Sequence, residues 1–532
     1  MSQSIPRRTF LEFLGAGTIG FALAPSLLSA CREAVPNDQT ISKILGIKPS
    51  SEDQVILAPG LDYQVLVSWN DPINQQDRFG FNNDYTAFIP DPDNPRAGLL
   101  WVNHEYVHPM FVSQYTEGEK TREQVDEEMY HVGGSIVRIQ QEEDGQWVLV
   151  EGAPENRRIN GHTMLPFNWP ETIQGSTEAM GTLANCSGGV TPWGTILTCE
   201  ENYDQFYGER NLETGEWDRS MAHLGWTNFY NNPPEHYGWV VEIDPKTGKG
   251  QKHVALGRCS HECATMHQLA DGRVVVYTGD DANDECLYKF ISSKPGSLAE
   301  GTLYVANIEE GRWISLNWEE QTILQEHFQS QTEVLTYLRK AARLVGGSQL
   351  DRPEDIEIDP ITGDVLVALT NNKPKENYFG SILKLSEAKG QHDALLFQAD
   401  TYLAGGAETG FACPDNMAFD PAGNLWFTSD MSGSAMNQGV YASFKNNGLF
   451  VVPRSGEQAG EVIQMASAPS DAEFTGPFFV ADGQTLFLSV QHPGETSKDL
   501  RNLSSHWPLG GSEMPRPSVI AIRGATLDTL WG

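Results

Sequence analysis

The sequence predicts an all-β protein, a β-propeller with helical and loop insertions. Three observations favour this class. Aspartate-containing turns recur, and each leads into an apolar strand, at 271–277, 359–368 and 420–427. Alternating strands lie between them, at 238–243, 380–385 and 439–443. Long, irregular insertions separate these units, which excludes a regular tandem array. A propeller accommodates many short strands around a channel, whereas a pair of β-sandwiches is the alternative fold.

The N-terminus carries targeting signals. Arg7-Arg8-Thr9-Phe10-Leu11 is a twin-arginine pattern, and a short apolar stretch follows it. Leu28-Ser29-Ala30-Cys31 matches a bacterial lipobox, so residues 1–31 are predicted to be a signal peptide with lipidation at Cys31. Plain cleavage near Ala30 is the alternative. We expect export by the twin-arginine machinery to the periplasm or cell surface, as an outer-membrane lipoprotein if Cys31 is lipidated.

The remaining chain is predicted to be a tether over residues 32–55 and a single propeller domain over residues 56–532. Its 71 acidic and 36 basic residues give a formal charge of −35. Such a surface repels nucleic acid and anionic lipid, so membrane contact is expected only through the lipid anchor. It suits divalent cations, above all Ca²⁺, although solubility is the alternative reason for the charge.

Six cysteines follow Cys31, namely Cys186, Cys199, Cys259, Cys263, Cys286 and Cys413. An even number in an exported protein permits disulfides, but the sequence leaves the pairing open, including a Cys259–Cys263 bridge. No C-x2-C pair is present, which argues against structural zinc. Separately, a capping-box pattern from Ser330 to Glu333 predicts a helical insertion over residues 318–347.

One stretch combines a thiol with carboxylates. Cys186 lies beside Ser-Gly-Gly, and the strand predicted at 195–199 leads directly into Glu200 and Glu201. Adjacent strand residues face opposite sides of a sheet, but a bulge could aim both acids inward. Thiolate and carboxylates together indicate a mixed metal site, with a buried cysteine and a solvated strand end as the alternative.

Acids also recur next to other strands. Glu262, Glu354, Asp415 and Glu473 each precede a predicted strand, at comparable positions in their repeat units. Any one of them could be an ordinary turn or cap residue. In a propeller, however, such positions converge on one channel mouth, where carboxylates repel each other unless cations lie between them.

Several ordered motifs carry a family resemblance: Asn103-His104-Glu105, Asn185 to Thr195, Thr198 to Asn202, Arg258-x-x-His261-Glu262, Gly279-Asp280-Asp281, Arg352-Pro-Glu354-Asp355 and Gln491-His492-Pro493-Gly494. Over roughly residues 60 to 495 the chain resembles the PhoX-type alkaline phosphatases. The resemblance implies a six-bladed propeller and hydrolysis of small phosphate monoesters. It further implies a cluster of Fe³⁺ and Ca²⁺ in which a cysteine bridges the irons.

The same resemblance assigns roles to individual residues. Cys186 is expected to be the iron thiolate and Arg352 to hold the substrate phosphate, with Asn103 also contacting substrate. Catalytic roles are expected for Cys186, Glu262, Arg352 and Glu354. The metal ligands are expected to be Cys186, Glu262, Glu354, Asp281, Glu473 and either or both of Glu200 and Glu201.

A calcium-binding propeller without phosphatase activity, either a lactonase-like hydrolase or a binding module, is the alternative function. Acids line the channel in such proteins, but no cysteine belongs to the cluster. Cys186 and Arg352 therefore distinguish the two hypotheses. We expect a monomer.

Overall fold

The computed structural model describes residues 43–480 and 484–531. The predicted signal peptide, the lipidation site Cys31 and the first part of the predicted tether lie outside these residues. Within them six antiparallel sheets of four or five strands are the blades of a β-propeller, and three two-stranded sheets lie in the connections. The predicted fold class and the six-bladed expectation are confirmed.

Blades 1 to 6 follow chain order, and the first strand named for each blade lies closest to the channel. Blade 1 contains Asn83–Asp91, Asn94–His104, Gly133–Gln141 and Trp147–Leu149, with Arg157–Ile159 also paired to its third strand. Blade 2 contains Asn185–Val190, Ile196–Glu200, Val240–Ile243 and Gly250–His253. Blade 3 contains Thr265–Gln268, Val274–Gly279, Leu287–Ser292, Gly301–Asn307 and Arg312–Ser315.

The second half of the ring repeats the pattern. Blade 4 contains Pro353–Ile358, Val365–Leu369, Ser381–Glu387 and Phe397–Ala404. Blade 5 contains Pro414–Phe419, Leu425–Ser429, Gly448–Val452, Ile463–Ser467 and the short edge strand Ile56–Leu57. Blade 6 contains Glu473–Phe479, Leu486–Gln491, Ser518–Arg523 and Asp62–Ser68. Because an early strand completes the last blade, pairing between the two ends of the domain closes the ring.

Each junction between neighbouring blades is filled by its own apolar cluster. Between blades 6 and 1, for example, Phe88 and Trp147 pack edge to face on Phe487. In the junction between blades 4 and 5, Phe427 and Phe450 of blade 5 stack at 5.1 Å between ring centroids and share a cluster with Leu366 of blade 4. The innermost strands of successive blades contact one another around the ring. This packing fixes six strand starts around one channel.

The tether prediction is wrong for residues 43–55. Ile47 donates its backbone N–H to Gln464 O at 2.9 Å, and Ile44 and Ile47 pack on the apolar cluster that contains Val55. Asp53 accepts a hydrogen bond from Ser505 Oγ at 2.5 Å. Ile44 and Ile47 therefore pack on the surface of blade 5. The folded domain extends back to the start of the described residues.

Shorter elements lie in the connections. The remaining strand pairs are Met164–Pro166 with Glu178–Met180, Glu209–Arg210 with Trp217–Asp218, and Asn283–Glu285 with Leu350–Asp351. The α-helices are Pro109–Val112, Arg122–His131, Asp204–Tyr207, Thr322–His327, Gln331–Thr336, Leu338–Val345 and Ala525–Trp531. The 3₁₀ turns are Trp226–Asn228, Pro234–His236, Val254–Leu256, Lys373–Lys375, Ala388–Gly390 and Gly439–Tyr441. No helix in the described residues is long and apolar enough to span a bilayer.

Two local predictions need correction. The insertion over 318–347 is helical, and Ser330 Oγ accepts from Glu333 N at 3.3 Å, but it forms three short helices because the chain leaves helical geometry at Phe328 and Tyr337. The strand predicted at 439–443 is a 3₁₀ turn, because a φ of 51° at Gly439 takes the chain out of extended geometry.

The six cysteines of the described residues are all free thiols, so the possible Cys259–Cys263 bridge is absent there.

Candidate metal centre and active site

Six residues, one from each blade, stand at or just before the start of the innermost strand and point into one end of the channel. Five are acids and the sixth, in blade 2, is a cysteine: Asp84, Cys186, Glu262, Glu354, Asp415 and Glu473. This recurrence is the one inferred from the sequence for four of the acids. Equivalent strand starts bring them together although up to 389 positions separate them along the chain, from 84 to 473.

The backbone that aims these side chains is also repeated. In five blades the residue two positions earlier has a positive φ without being glycine: Asn82, Ala184, Arg352, Cys413 and Asp471, with φ from 50° to 63°. In four blades the strand pairing then slips within the next residues, between Asn83/Thr86, Asn185/Gly188, Pro353/Ile356 and Pro414/Met417. Bulges of this kind re-aim side chains, and left-handed non-glycine residues cost about 1–3 kcal/mol each, so the geometry is maintained by the surrounding fold.

A second set of side chains comes from the residue that ends or follows the second strand of each blade. Glu105, Glu201 and Asp430 donate their backbone N–H groups to the carbonyls of Asn82, Ala184 and Cys413 at 3.1, 2.8 and 2.9 Å. Asp281 bonds to Ser260 O in the same way at 2.9 Å. In blade 6 His492 takes this place, and its Nδ1 lies 2.8 Å from Asp471 O. In blade 4 the place is taken by Thr370, which bonds to Arg352 O at 3.1 Å.

All of these side chains except Thr370 line a cavity of about 160 Å³ that is rich in carboxylates. Ten carboxylates face it: Asp84, Glu105, Glu201, Glu262, Asp281, Glu354, Asp415, Asp430, Glu473 and Glu495. Arg352 and His492 are the only basic side chains among the described residues that line it. We call this the carboxylate cavity.

Burial and mutual repulsion raise the pKa values of several carboxyl groups in the carboxylate cavity. Burial is the larger cause for Asp84, Glu201 and Glu262, and the charges of neighbouring carboxylates add to it, so that all three pKa values lie well above their usual range. Burial raises the pKa of Glu105 to about 7. The pKa of the Cys186 thiol is also raised, by burial and then by Asp84 and Glu262. A cation placed among these groups would reverse each shift.

Cys186 lies at the centre of the possible ligand groups. Its Sγ is 3.4 Å from Asp84 Oδ2 and 3.2 Å from Glu262 Oε1. Three sets of side chains each bring their ligand atoms within 4.8 Å of one another: Asp84 with Glu105 and Cys186, Cys186 with Glu201 and Glu262, and Glu262 with Asp281 and Glu354. Successive sets share Cys186 and then Glu262, so they form one continuous chain of possible cation positions.

Arg352 lies across the far end of this chain. Its Nε and Nη2 donate to the two oxygens of Asp281 at 2.9 and 2.7 Å, and Nη2 also lies 2.6 Å from Glu354 Oε1. Nη1 is 3.5 Å from Asp430 Oδ2. The guanidinium fork is thus held at the edge of the carboxylate cavity, with the planar donor arrangement that suits a phosphate.

Two predicted site residues lie elsewhere. Glu200 ends its strand facing away from the carboxylate cavity and pairs with Lys252 Nζ at 2.6 Å, both side chains being fully buried. Because adjacent strand residues face opposite ways, only Glu201 reaches the carboxylate cavity, which corrects the prediction for Glu200. Asn103 is behind the wall, not in contact with substrate space: its Nδ2 donates to Cys186 O at 2.6 Å and to Ser187 O at 3.0 Å. It positions the cysteine backbone.

The remaining predicted residues, Cys186, Glu201, Glu262, Asp281, Arg352, Glu354 and Glu473, do line the carboxylate cavity. The sequence interpretation did not assign roles to Asp84, Glu105, Asp430 and His492. A signal for Asp84 exists, because Asn82-Asn83-Asp84 repeats the placement of Arg352-Pro353-Glu354 before an innermost strand. A signal for Asp430 is its place directly after a second strand, like that of Glu201.

Comparison with known proteins gives this geometry a family. The model of the family described as alkaline phosphatase PhoX matches residues 43–494. The chain belongs to the PhoX alkaline phosphatase family. Membership agrees with the resemblance noted from the motifs, and the matched segment contains every residue of the carboxylate cavity except Glu495.

Among solved structures, PhoX of Pseudomonas fluorescens, in complex with the transition-state analogue vanadate, is 29% identical to the chain. The similarity covers 92% of this chain and 99% of that one, with a TM-score of 0.82. The family and this structure establish the protein as a phosphatase that hydrolyses phosphate monoesters.

Other similarities are weaker. A Dyadobacter fermentans protein of unknown function is 11% identical, with coverage of 88% and 99% and a TM-score of 0.42. A Xanthomonas campestris gluconolactonase is 12% identical, with coverage of 84% and 97% and a TM-score of 0.30. Scores this low carry no argument about function. No curated relative matches the chain.

Proposed function

We propose that this phosphatase works through a cluster of ferric iron and calcium ions held in the carboxylate cavity. The observation that carries the proposal is the chain of three ligand sets joined by Cys186 and Glu262. Shared ligands are what a multinuclear cluster requires, because one side chain must bridge neighbouring ions. A calcium-only propeller would have no use for a thiol at the centre of the cluster.

The residues present fit such a cluster in charge and in ligand type. Asp84 Oδ1 and Glu473 Oε2 are buried without a hydrogen-bond partner among the described residues, so cations would satisfy them. A thiolate combined with carboxylates suits ferric iron, so the two sets that contain Cys186 would hold iron. The set of Glu262, Asp281 and Glu354 offers only oxygen, which suits calcium.

Within this proposal the chain itself binds and orients the phosphate. The bound cations would supply positive charge to the phosphate oxygens and activate the attacking nucleophile. Arg352 would offer its guanidinium fork to two phosphate oxygens once the cations take over Asp281 and Glu354. Asn103 would keep Cys186 in place through its backbone carbonyl. The buried walls would exclude bulk water, which strengthens every one of these interactions.

Replacing Cys186 tests the iron proposal most specifically. Cys186→Ser keeps the side-chain volume but replaces a soft sulfur by a harder oxygen. We expect a folded protein without sulfur-to-iron charge-transfer absorption and with phosphomonoester turnover reduced by orders of magnitude. If the thiol were only a packed side chain, the change would cost about 1–3 kcal/mol of stability and leave turnover intact. A folded, coloured and fully active variant would refute the cluster.

Arg352→Ala tests the phosphate contact separately. Loss of a bidentate, charge-assisted contact should weaken transition-state binding by roughly 2–4 kcal/mol while the colour stays. Arg352→Lys is the matched variant, because it keeps the charge but not the fork, and it should recover only part of kcat/KM. Full activity in Arg352→Ala would remove this residue from the site.

We further propose that the protein is exported by the twin-arginine machinery and acts as a monomer in the periplasm or at the cell surface. Arg7, Arg8 and the Leu28 to Cys31 motif support the proposed export. Replacing both arginines by lysine should block export, measured by cell fractionation.

Palmitate labelling should disappear in Cys31→Ser, and labelling that persists would exclude the lipid anchor at this residue.

A further inference from the structure

A second, larger cavity adjoins the carboxylate cavity. It measures about 710 Å³, within the range of pockets that bind small molecules. Glu105, Tyr106, Asn202 and Glu495 line both cavities, so the two meet at a neck formed by these four side chains. Tyr106 OH donates to Glu495 Oε1 at 2.9 Å and ties the two sides of the neck together. We call the larger cavity the outer chamber.

The walls of the outer chamber are tied together by one buried carboxylate. Glu128 is fully buried, and it accepts hydrogen bonds from Ser113 Oγ at 2.7 Å, Lys120 Nζ at 2.7 Å and Trp226 Nε1 at 2.8 Å. Lys120 also donates to Leu224 O at 2.8 Å. The connection between the second and third strands of blade 1 and the corresponding connection of blade 2 are thereby joined into one wall. Such a satisfied buried network indicates a preformed chamber.

Two side-chain amides offer uncharged hydrogen-bonding groups to the outer chamber. Gln205 and Asn228 line it, and neither side-chain amide bonds to another group in the described part of the chain. The rings of Tyr106 and Tyr115 contribute apolar surface beside them. Amides and tyrosine faces together suit an alcohol that carries both hydroxyl groups and a ring or carbon skeleton.

The charge of the outer chamber is negative. Glu105 and Glu495 stand at the neck and Glu119 farther out. Lys120 is the only lysine or arginine among the described residues of the lining, and its charge is already paired with buried Glu128 at 2.7 Å. His223 is the one other basic side chain of the described lining, with its Nδ1 at 3.1 Å from Met221 O. An additional phosphate or carboxylate on the ligand would therefore meet mostly like charges.

We propose that the outer chamber binds the alcohol part of the phosphate monoester and selects hydroxyl-bearing alcohols that carry no further negative charge. The inference rests on the proposed function, which places the phosphate in the carboxylate cavity beside Arg352. With the phosphate there, an ester oxygen that points through the neck would place the leaving group in the outer chamber. Gln205 and Asn228 determine specificity by contacting its hydroxyl groups.

The test compares esters with large and small alcohols. For the wild-type enzyme we measure kcat/KM with adenosine 5′-monophosphate and with methyl phosphate. Gln205→Ala should lower the ratio of the two values about fivefold, the effect of one lost hydrogen bond. The matched control is Gln398→Ala, an exposed position on the outermost strand of blade 4, which should leave the ratio within about twofold. An unchanged ratio in Gln205→Ala would overturn the proposal.

A separate comparison of two nucleotides tests the proposed selection against further negative charge. Adenosine 5′-triphosphate should be hydrolysed with a kcat/KM at least about tenfold below that of the monophosphate. Gln205→Lys should make this difference smaller, because the added positive charge attracts the further phosphates. Equal values for the two nucleotides in the wild type would contradict the charge argument.

Binding of adenosine alone, followed by ligand-observed NMR, separates the chamber from the catalytic centre. We expect binding to the wild type and weaker binding to Gln205→Ala, whatever the turnover. If the enzyme hydrolyses methyl phosphate but does not bind adenosine, the proposed role of the outer chamber is refuted and the proposed metal cluster is not. Adenosine binding to purified enzyme that is active but holds no metal would refute the proposed metal cluster and leave the outer-chamber proposal intact.

Discussion

Two groups of buried carboxylates in this protein have opposite surroundings. Inside the blades, Glu200 pairs with Lys252 at 2.6 Å and Glu387 with Lys289 at 2.5 Å, so each carboxylate has a cation from the chain. At the channel mouth ten carboxylates share Arg352 and His492. The first group is balanced by the protein itself, and the second is not.

This difference separates the acids that stabilise the fold from those that serve the reaction. Burying a carboxylate is costly unless a charge or hydrogen-bond donor compensates it. Where the chain supplies the partner, the pair belongs to the fold. Where it supplies too few, the missing charge must come from bound cations or protons. Glu200 and Glu201 are neighbours in sequence and fall on opposite sides of this division.

The largest effect on stability is expected from breaking a balanced pair. Lys252→Met removes the charge that faces Glu200 and should lower the free energy of unfolding by about 3–5 kcal/mol, because a buried carboxylate loses its partner. Chemical denaturation measures the change. Lys249→Met is the matched control on an exposed side chain of the same hairpin and should stay within about 0.5 kcal/mol. Equal losses in both variants would contradict the division.

The next effect concerns pH and the channel mouth. Burial raises the pKa of Glu105 to about 7, so in metal-free protein the folded state binds more protons than the unfolded state between about pH 4.5 and 7. The stability of metal-free protein should therefore fall as pH rises through this window, by on the order of 3 kcal/mol from Glu105 alone. Unfolding free energies of chelated protein at pH 5 and pH 8 provide the measurement. Metal-loaded protein should show no such loss of stability between pH 5 and pH 8. A chelated protein that is equally stable at both pH values would argue against uncompensated carboxylates at the channel mouth.

A smaller and more discriminating effect comes from the neighbouring pair of glutamates. In metal-free protein, Glu200→Gln should cost about 2 kcal/mol, because Lys252 keeps only a neutral partner. Glu201→Gln should stabilise the metal-free protein by about 1 kcal/mol, since it removes one of several repelling charges. Thermal melting in chelator shows the sign of each change. Melting-temperature shifts of the same sign in both variants would contradict the division between balanced and unbalanced carboxylates.

The sequence predicted the fold class because turn-and-strand units carry their own local signals. Asp359, Asp420 and similar turn residues mark strand boundaries without knowledge of the tertiary structure. Positions set by packing were not predictable in this way. Residues 43–55 look polar and featureless, yet Ile44 and Ile47 find a surface on blade 5 that only the closed ring creates.

The candidate site was predictable where a blade repeats a visible pattern. Glu262, Glu354 and Glu473 precede apolar strands, and their convergence follows from the propeller. The choice between Glu200 and Glu201 was not predictable, because it depends on the exact residue at which a strand ends. Asn103 illustrates a different limit: a motif residue can act on the backbone behind the site, and the motif alone does not give its side-chain direction.

Elemental analysis of purified protein tests most directly whether bound cations balance the channel mouth. We predict that the wild type and Glu200→Gln contain iron and calcium in the same ratio to protein, and that Glu201→Gln contains less iron. The same samples should give matching circular dichroism spectra, so that a loss of metal is not a loss of fold. A folded, active wild-type enzyme without bound metal, or equal metal content in Glu201→Gln, would contradict the account.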